Sequence, residues 1–162
     1  MKKRFLFTGL LLIVMLMASC AVALADGDVP PQNMISDNPN FSSYEWHRMV
    51  MPYGSGDALA FTRVVASITK YSSSAVYVRG VTEVNKVTSV VGLIMYVEQW
   101  KDNAWNSYSM TSFTEYDTDS MSATKVVNVE SGYYYRVVIK HRAYGVAESI
   151  YDVTNTNGIL VR

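Results

Sequence analysis

The stretch Leu93-Ile94-Met95-Tyr96-Val97-Glu98-Gln99-Trp100-Lys101-Asp102-Asn103-Ala104-Trp105 decides the fold class. Leu93, Met95 and Val97 alternate with Tyr96, Glu98 and Trp100, the two-residue period of a strand with one face on a core. Lys101-Asp102-Asn103-Ala104 supplies turn residues, so the chain is expected to reverse there into a second strand. With Trp100 opposite Trp105, Val97 is expected opposite Tyr108 and Met95 opposite Met110 on the inner face. Tyr96, Glu98, Trp100, Trp105, Ser107 and Ser109 then share the outer face. The opposite assignment buries the Glu98 carboxylate, which is costly unless it is paired.

The same pattern continues on both sides. From about Thr62 onward, short segments rich in Val, Ile, Thr and Tyr are separated by Ser, Asn, Asp and Gly clusters, with no sustained 3.6-residue apolar period. Strands are expected near 63–70, 75–84, 89–100, 105–114, 121–129, 133–142 and 148–154, with a short one at 159–161. This predicts an all-β antiparallel sandwich of about seven strands over residues 62–162. In the hairpin after Tyr133, pairing Arg142 with Glu148 sets Ile139 against Tyr151 and Val137 against Val153. Arg136 and Lys140 then face Glu148 and Asp152 on the outer side. Residues 26–61 read as an irregular N-terminal arm, because Pro30-Pro31, Asn38-Pro39, Pro52 and Gly54-Ser55-Gly56-Asp57 interrupt regular elements. Trp46 and Met49 are expected to pack that arm on the domain.

Residues 1–25 read as a signal peptide. Lys2, Lys3 and Arg4 precede an uncharged apolar run, and Ala23-Leu24-Ala25 predicts cleavage before Asp26 and secretion. Cys20 after Met17-Ala18-Ser19 offers lipid anchoring as a less favoured reading, and an uncleaved membrane anchor is another. The whole chain carries 14 basic and 14 acidic residues. Loss of Lys2, Lys3 and Arg4 leaves a formal charge of −3, which argues against nucleic acid or an anionic membrane as partner. Cys20, the single cysteine, leaves with the leader, so neither a disulfide nor a thiol nucleophile is expected.

At Val129-Glu130-Ser131-Gly132-Tyr133-Tyr134-Tyr135-Arg136-Val137 the spacing resembles the corner before strand F of fibronectin type III and immunoglobulin-like sandwiches. The resemblance implies that the Tyr135 hydroxyl bonds back to the preceding loop. The wider run from Ser67 to the C-terminus is similar to a family of small secreted β-sandwich proteins of Gram-positive bacteria, of unknown function. Val78-Arg79-Gly80-Val81-Thr82, Trp105, Gly132-Tyr133-Tyr134-Tyr135-Arg136-Val137, His141, Glu148-Ser149, Thr154 and Gly158 carry that likeness. It implies a location and a fold and no catalytic residues.

Candidate chemistry is sparse. His47 and His141 lack metal-ligand spacing. A hydrolytic relay of His141 with Glu148 and Ser149 is conceivable, yet no nucleophile elbow accompanies Ser149. Glu115, Asp117 and Asp119 alternate as calcium ligands can, but Ser122 and Asn128 stand where an EF-hand needs Gly and Glu. Twelve tyrosines and three tryptophans are the strongest signal. Tyr96, Trp100 and Trp105 are expected to form an outward strip able to stack on a cell-surface glycan or anchor a protein. The structural alternatives are a cross-strand indole pair that only stabilises its hairpin, a strip covered by the N-terminal arm, and an indole folded into the core. Arg136, Lys140 and Arg142 could attract anionic polymers, with neutralisation by Glu148 and Asp152 the simpler expectation. The sequence thus predicts a secreted, non-enzymatic, cofactor-free binding protein. The alternatives are an extracellular protein assembling through its edge strands and a hydrolase using His141.

Overall fold

A computed structural model describes residues 29–47 and 58–162; the leader, Cys20, Met49 and the Gly54–Asp57 loop lie outside the described residues. After one 3-10 turn at Gln32–Met34 come β1 (Phe41–His47), β2 (Phe61–Ser72), β3 (Ala75–Lys101), β4 (Ala104–Asn128), β5 (Tyr133–Tyr144), β6 (Ser149–Asn155) and β7 (Ile159–Val161). The fold is all-β and antiparallel, one sheet curled into a sandwich-like half-barrel.

β3 and β4 dominate it. Each joins two strands expected separately, and together they form a single hairpin with Asp102 and Asn103 both in the left-handed region (φ 55° and 59°) at its tip. That backbone matches the twist of the flanking strands. Midway, pairing jumps from Glu83 with Ser120 to Thr88 with Thr118, so β3 loops out four residues and bends. Before this waist β3 pairs with β2, and after it with β5. The two halves therefore face each other. Val64, Ala66, Ile68, Val76 and Val78 meet Leu93, Met95, Val97, Val137 and Ile139 in one buried core. Gly80 marks the closest approach: a Cβ there would lie 2.7 Å from Ile139 Cδ1 and 3.1 Å from Leu93 Cδ2.

Tyr135 pins the corner. Its hydroxyl donates to Glu130 O (2.9 Å) and accepts from Glu130 N (3.0 Å) and Gln99 Nε2 (2.8 Å). Gly132 turns the chain with φ +95°. Burial pushes the Tyr135 hydroxyl up to about 12, because a phenolate here would be desolvated.

Three sequence expectations need correction. The arm is not irregular throughout: β1 adds to the edge of β2, Ser42 Oγ accepts from Asn157 N, and Ile35 bridges to Gly158. In the first hairpin Trp100 does oppose Trp105, but Val97 opposes Ser109 and Met95 opposes Thr111. Tyr108 is the bulged residue, and its ring meets the Tyr135 ring edge-on at 5.6 Å, which turns Met110 outward. In the last hairpin Tyr144 opposes Ser149, three residues from the expected register, because Gly145 N bonds Glu148 O and closes a shorter loop. An odd slip exchanges the faces of β6, so Tyr151 and Val153 point outward and Thr154 inward.

The inward Thr154 serves a buried histidine. His141 Nδ1 lies 2.7 Å from Thr82 Oγ1 and Nε2 lies 2.8 Å from Thr154 Oγ1, so one imidazole links β3, β5 and β6 through the core. Desolvation lowers its pKa to about 4. An unfolded histidine titrates near 6.5, so this group's contribution is complete above about pH 6.5. It is lost as pH falls toward 4, by an amount on the order of 3 kcal/mol.

Two predictions follow from these contacts. Tyr135→Phe strands the Glu130 and Gln99 partners and is expected to cost about 1–3 kcal/mol, read from the urea midpoint at unchanged slope. His141→Gln is expected to flatten the decline of that midpoint between pH 7 and 5; an unaltered decline would mean that other groups produce it.

Candidate binding face

The layer formed by β6, β5, the second half of β3 and the first half of β4 buries one side and leaves the other uncovered over most of its area. Cross-strand register places Tyr116, Val90 and Tyr144 in one outward row. Thr114, Gly92, Arg142 and Tyr151 make the next, followed by Ser112, Ile94, Lys140 and Val153. Met110, Tyr96, Val138 and Asn155 come after these. Beyond them lie Ser107, Glu98 and Arg136, then Trp105 with Trp100.

The two ends of this face differ. At the hairpin end Trp100 retains only 7% of its exposure and packs edge-to-face on Trp105, ring centroids 5.3 Å apart. The Arg136 guanidinium lies 4.6 Å over the Trp105 ring and donates through Nε to Glu98 Oε2 at 2.7 Å. The far edge of Trp105 abuts Gly158, where a Cβ would come within 2.7 Å of its Cη2. Met34 and Ser36 hold that glycine by backbone hydrogen bonds, so the N-terminal segment closes this end. The Trp105 Nε1 is buried with no hydrogen-bond partner.

The structure thus brings Tyr96, Trp100 and Trp105 onto one outward face with Glu98, but it does not leave them as an open strip. Trp100 is an enclosed structural residue, Trp105 is half-buried, and Tyr96 lies beneath Lys140, whose Nζ is 5.0 Å from its ring centroid.

The opposite end is open. Tyr116 is 72% exposed and Tyr151 65%. Tyr144 and Tyr151 meet edge-to-face at 5.8 Å, and the Tyr151 hydroxyl donates to the Tyr144 hydroxyl at 3.1 Å. Between these tyrosines Arg142 crosses the sheet toward β4, donating from Nη2 to Thr114 Oγ1 at 2.8 Å. Gly92 permits that path, since a Cβ would fall 2.7 Å from Arg142 Nε. Asp117 and Gly145, next in sequence after Tyr116 and Tyr144, line an open hollow of about 470 Å³ together with Leu59, Thr88 and Glu148.

Charge on this face is uneven. Its outward positions carry three bases, Arg136, Lys140 and Arg142, and one acid, Glu98, which is paired with Arg136. The expected neutralisation by Glu148 and Asp152 is not what the structure places there. Glu148 Oε2 accepts from Leu59 N, and Asp152 turns inward with Oδ1 on Val153 N.

The other candidates resolve simply. His141 binds Thr82 and Thr154 in the core and is not joined to Glu148 or Ser149, so the imagined relay is not assembled. Among the described residues no three His, Cys, Asp or Glu side chains gather to hold a metal ion, and Glu115, Asp117 and Asp119 form no such cradle. No described helix is long and apolar enough to cross a membrane.

Sequence reasoning missed Tyr116, Tyr144 and Tyr151 as neighbours. Counting by twos from Val137 and Ile139 puts Tyr144 outward, but Tyr116 and Tyr151 need the true bulge and loop registers. No protein-family model matches the chain, and no curated protein matches it.

Proposed function

We propose that this protein is an exported, non-enzymatic binding module that holds a cell-surface glycan on the outer face of the β6-β5-β3-β4 layer. The observation that carries the reading is the open end of that face, where exposed Tyr116 and Tyr151 flank hydrogen-bonding Thr114 and Arg142. Flat rings stack on the apolar faces of sugars, while neighbouring hydroxyl and guanidinium groups bond to ring hydroxyls. An exposed aromatic and aliphatic patch of this breadth is a recognition surface far more often than an idle one. The apolar leader read in residues 1–25 supports export.

A panel of immobilised polysaccharides tests the reading. Tyr116→Ala with Tyr151→Ala is expected to weaken capture by tenfold or more while circular dichroism and the urea midpoint stay near wild type, since two stacking anchors contribute roughly 1–2 kcal/mol each. Unchanged capture by the double variant would reject the face.

One observation favours a second reading, assembly through edge pairing. β4 pairs only with β3 among the described residues, leaving a long edge whose residues Asn103 to Thr114 include no charge and no proline. Natural edges are usually guarded by such residues. Light scattering at high concentration separates the two readings: a persistent monomer eliminates assembly, and a Ser112→Lys variant that breaks up oligomers supports it.

A further inference from the structure

We infer that the ligand of this face is an anionic polysaccharide, one bearing carboxylate or sulfate groups along its chain. The inference rests on the glycan reading above and adds to it the chemistry of the ligand. Lys140 and Arg142 stand two residues apart on β5, about 6–7 Å along the strand. Neither faces an acid: their outward cross-strand neighbours are Ile94, Ser112 and Val153 for Lys140, and Gly92, Thr114 and Tyr151 for Arg142. Arg136, the third base of the row, is already matched by Glu98 and stacked on Trp105, so it holds the closed end.

Two cations that face no acid among the described residues are a local excess on a chain whose formal charge without residues 1–25 is −3, and Glu148 and Asp152, which could have cancelled it, are turned elsewhere. Arg142 is also held in place. Its Nη2 is tied to Thr114 across the glycine gap at Gly92, which orients the guanidinium between Tyr116 and Tyr151 before any ligand arrives. A guanidinium fixed beside exposed rings suits a sugar whose ring stacks on tyrosine while its carboxylate or sulfate takes the charge-assisted hydrogen bonds. Lys140 over the Tyr96 ring supplies the next positive position. A neutral glycan could take hydrogen bonds from Arg142 but would leave its charge and that of Lys140 unmatched, and a lipid surface would not need the exposed tyrosines.

The decisive probe is polygalacturonate against its methyl-esterified form, which has the same backbone with its charges removed; heparin serves as the sulfated arm. Calorimetric titration is expected to show tenfold or tighter binding of at least one anionic chain over the esterified one. That preference should shrink as salt rises from 50 to 500 mM. Lys140→Gln with Arg142→Gln is expected to abolish it, while Tyr116→Ala with Tyr151→Ala weakens anionic and esterified chains alike. Binding of polygalacturonate and of heparin no tighter than that of the esterified chain would overturn the charge inference and leave the glycan face standing. Retention of the preference by the Lys140→Gln, Arg142→Gln variant would also overturn it. Comparable binding to phosphatidylglycerol vesicles or to a DNA duplex would overturn it too, since simple charge attraction would then suffice.

Discussion

A hairpin with two arms of this length cannot stay flat and keep its apolar side dry. β3 and β4 solve this by bending at the waist between Glu83 and Thr88, where β3 carries the extra residues and Asp117 takes a left-handed backbone (φ 51°). The bend makes β3 an inner strand of two facing layers, with β4 along the edge of each. β2 and β5 then find adjacent places along the same side of β3, and the core closes around Gly80, Leu93, Met95 and Ile139. Everything placed on the outer face, Arg142 and the tyrosines included, depends on where that bend falls.

Much of this architecture is local enough to be legible in the residues themselves. Alternation around Met95 and Val97, the turn at Asp102-Asn103 and the Glu98 carboxylate together assign inside and outside for the central strand, and the structure has Val97 buried and Glu98 paired outward. The corner at Tyr135 is equally local, because five residues separate the hydroxyl from the backbone groups it binds. Continuity was harder to see. The run Glu83 to Thr88 looks like a loop between strands, yet it only interrupts the pairing with β4 and the chain continues as one strand, β3.

The candidate site was legible only in part, for a geometric reason. A binding face spanning four strands needs three registers to be right at once, and a bulge of one residue or a register slip of three moves its members to the other side. Tyr108 and the Gly145–Glu148 closure did this. Tyr108 was drawn to the Tyr135 ring, and Thr154 was needed under His141; both are long-range demands with no mark in the neighbouring sequence. Trp100 and Trp105 show the converse. Their pairing was readable, but their cover came from Gly158 and Met34, distant in the chain.

The shared strands also bear on how the molecule comes apart. Since β3 and β4 run unbroken through both layers, neither layer can be released by parting side chains alone; backbone ladders on either side of the waist must fail together. Partial opening is then confined to the rims, at β1 and β6, and the interior melts as one cooperative unit. That arrangement withholds the half-unfolded forms on which proteolytic cleavage feeds.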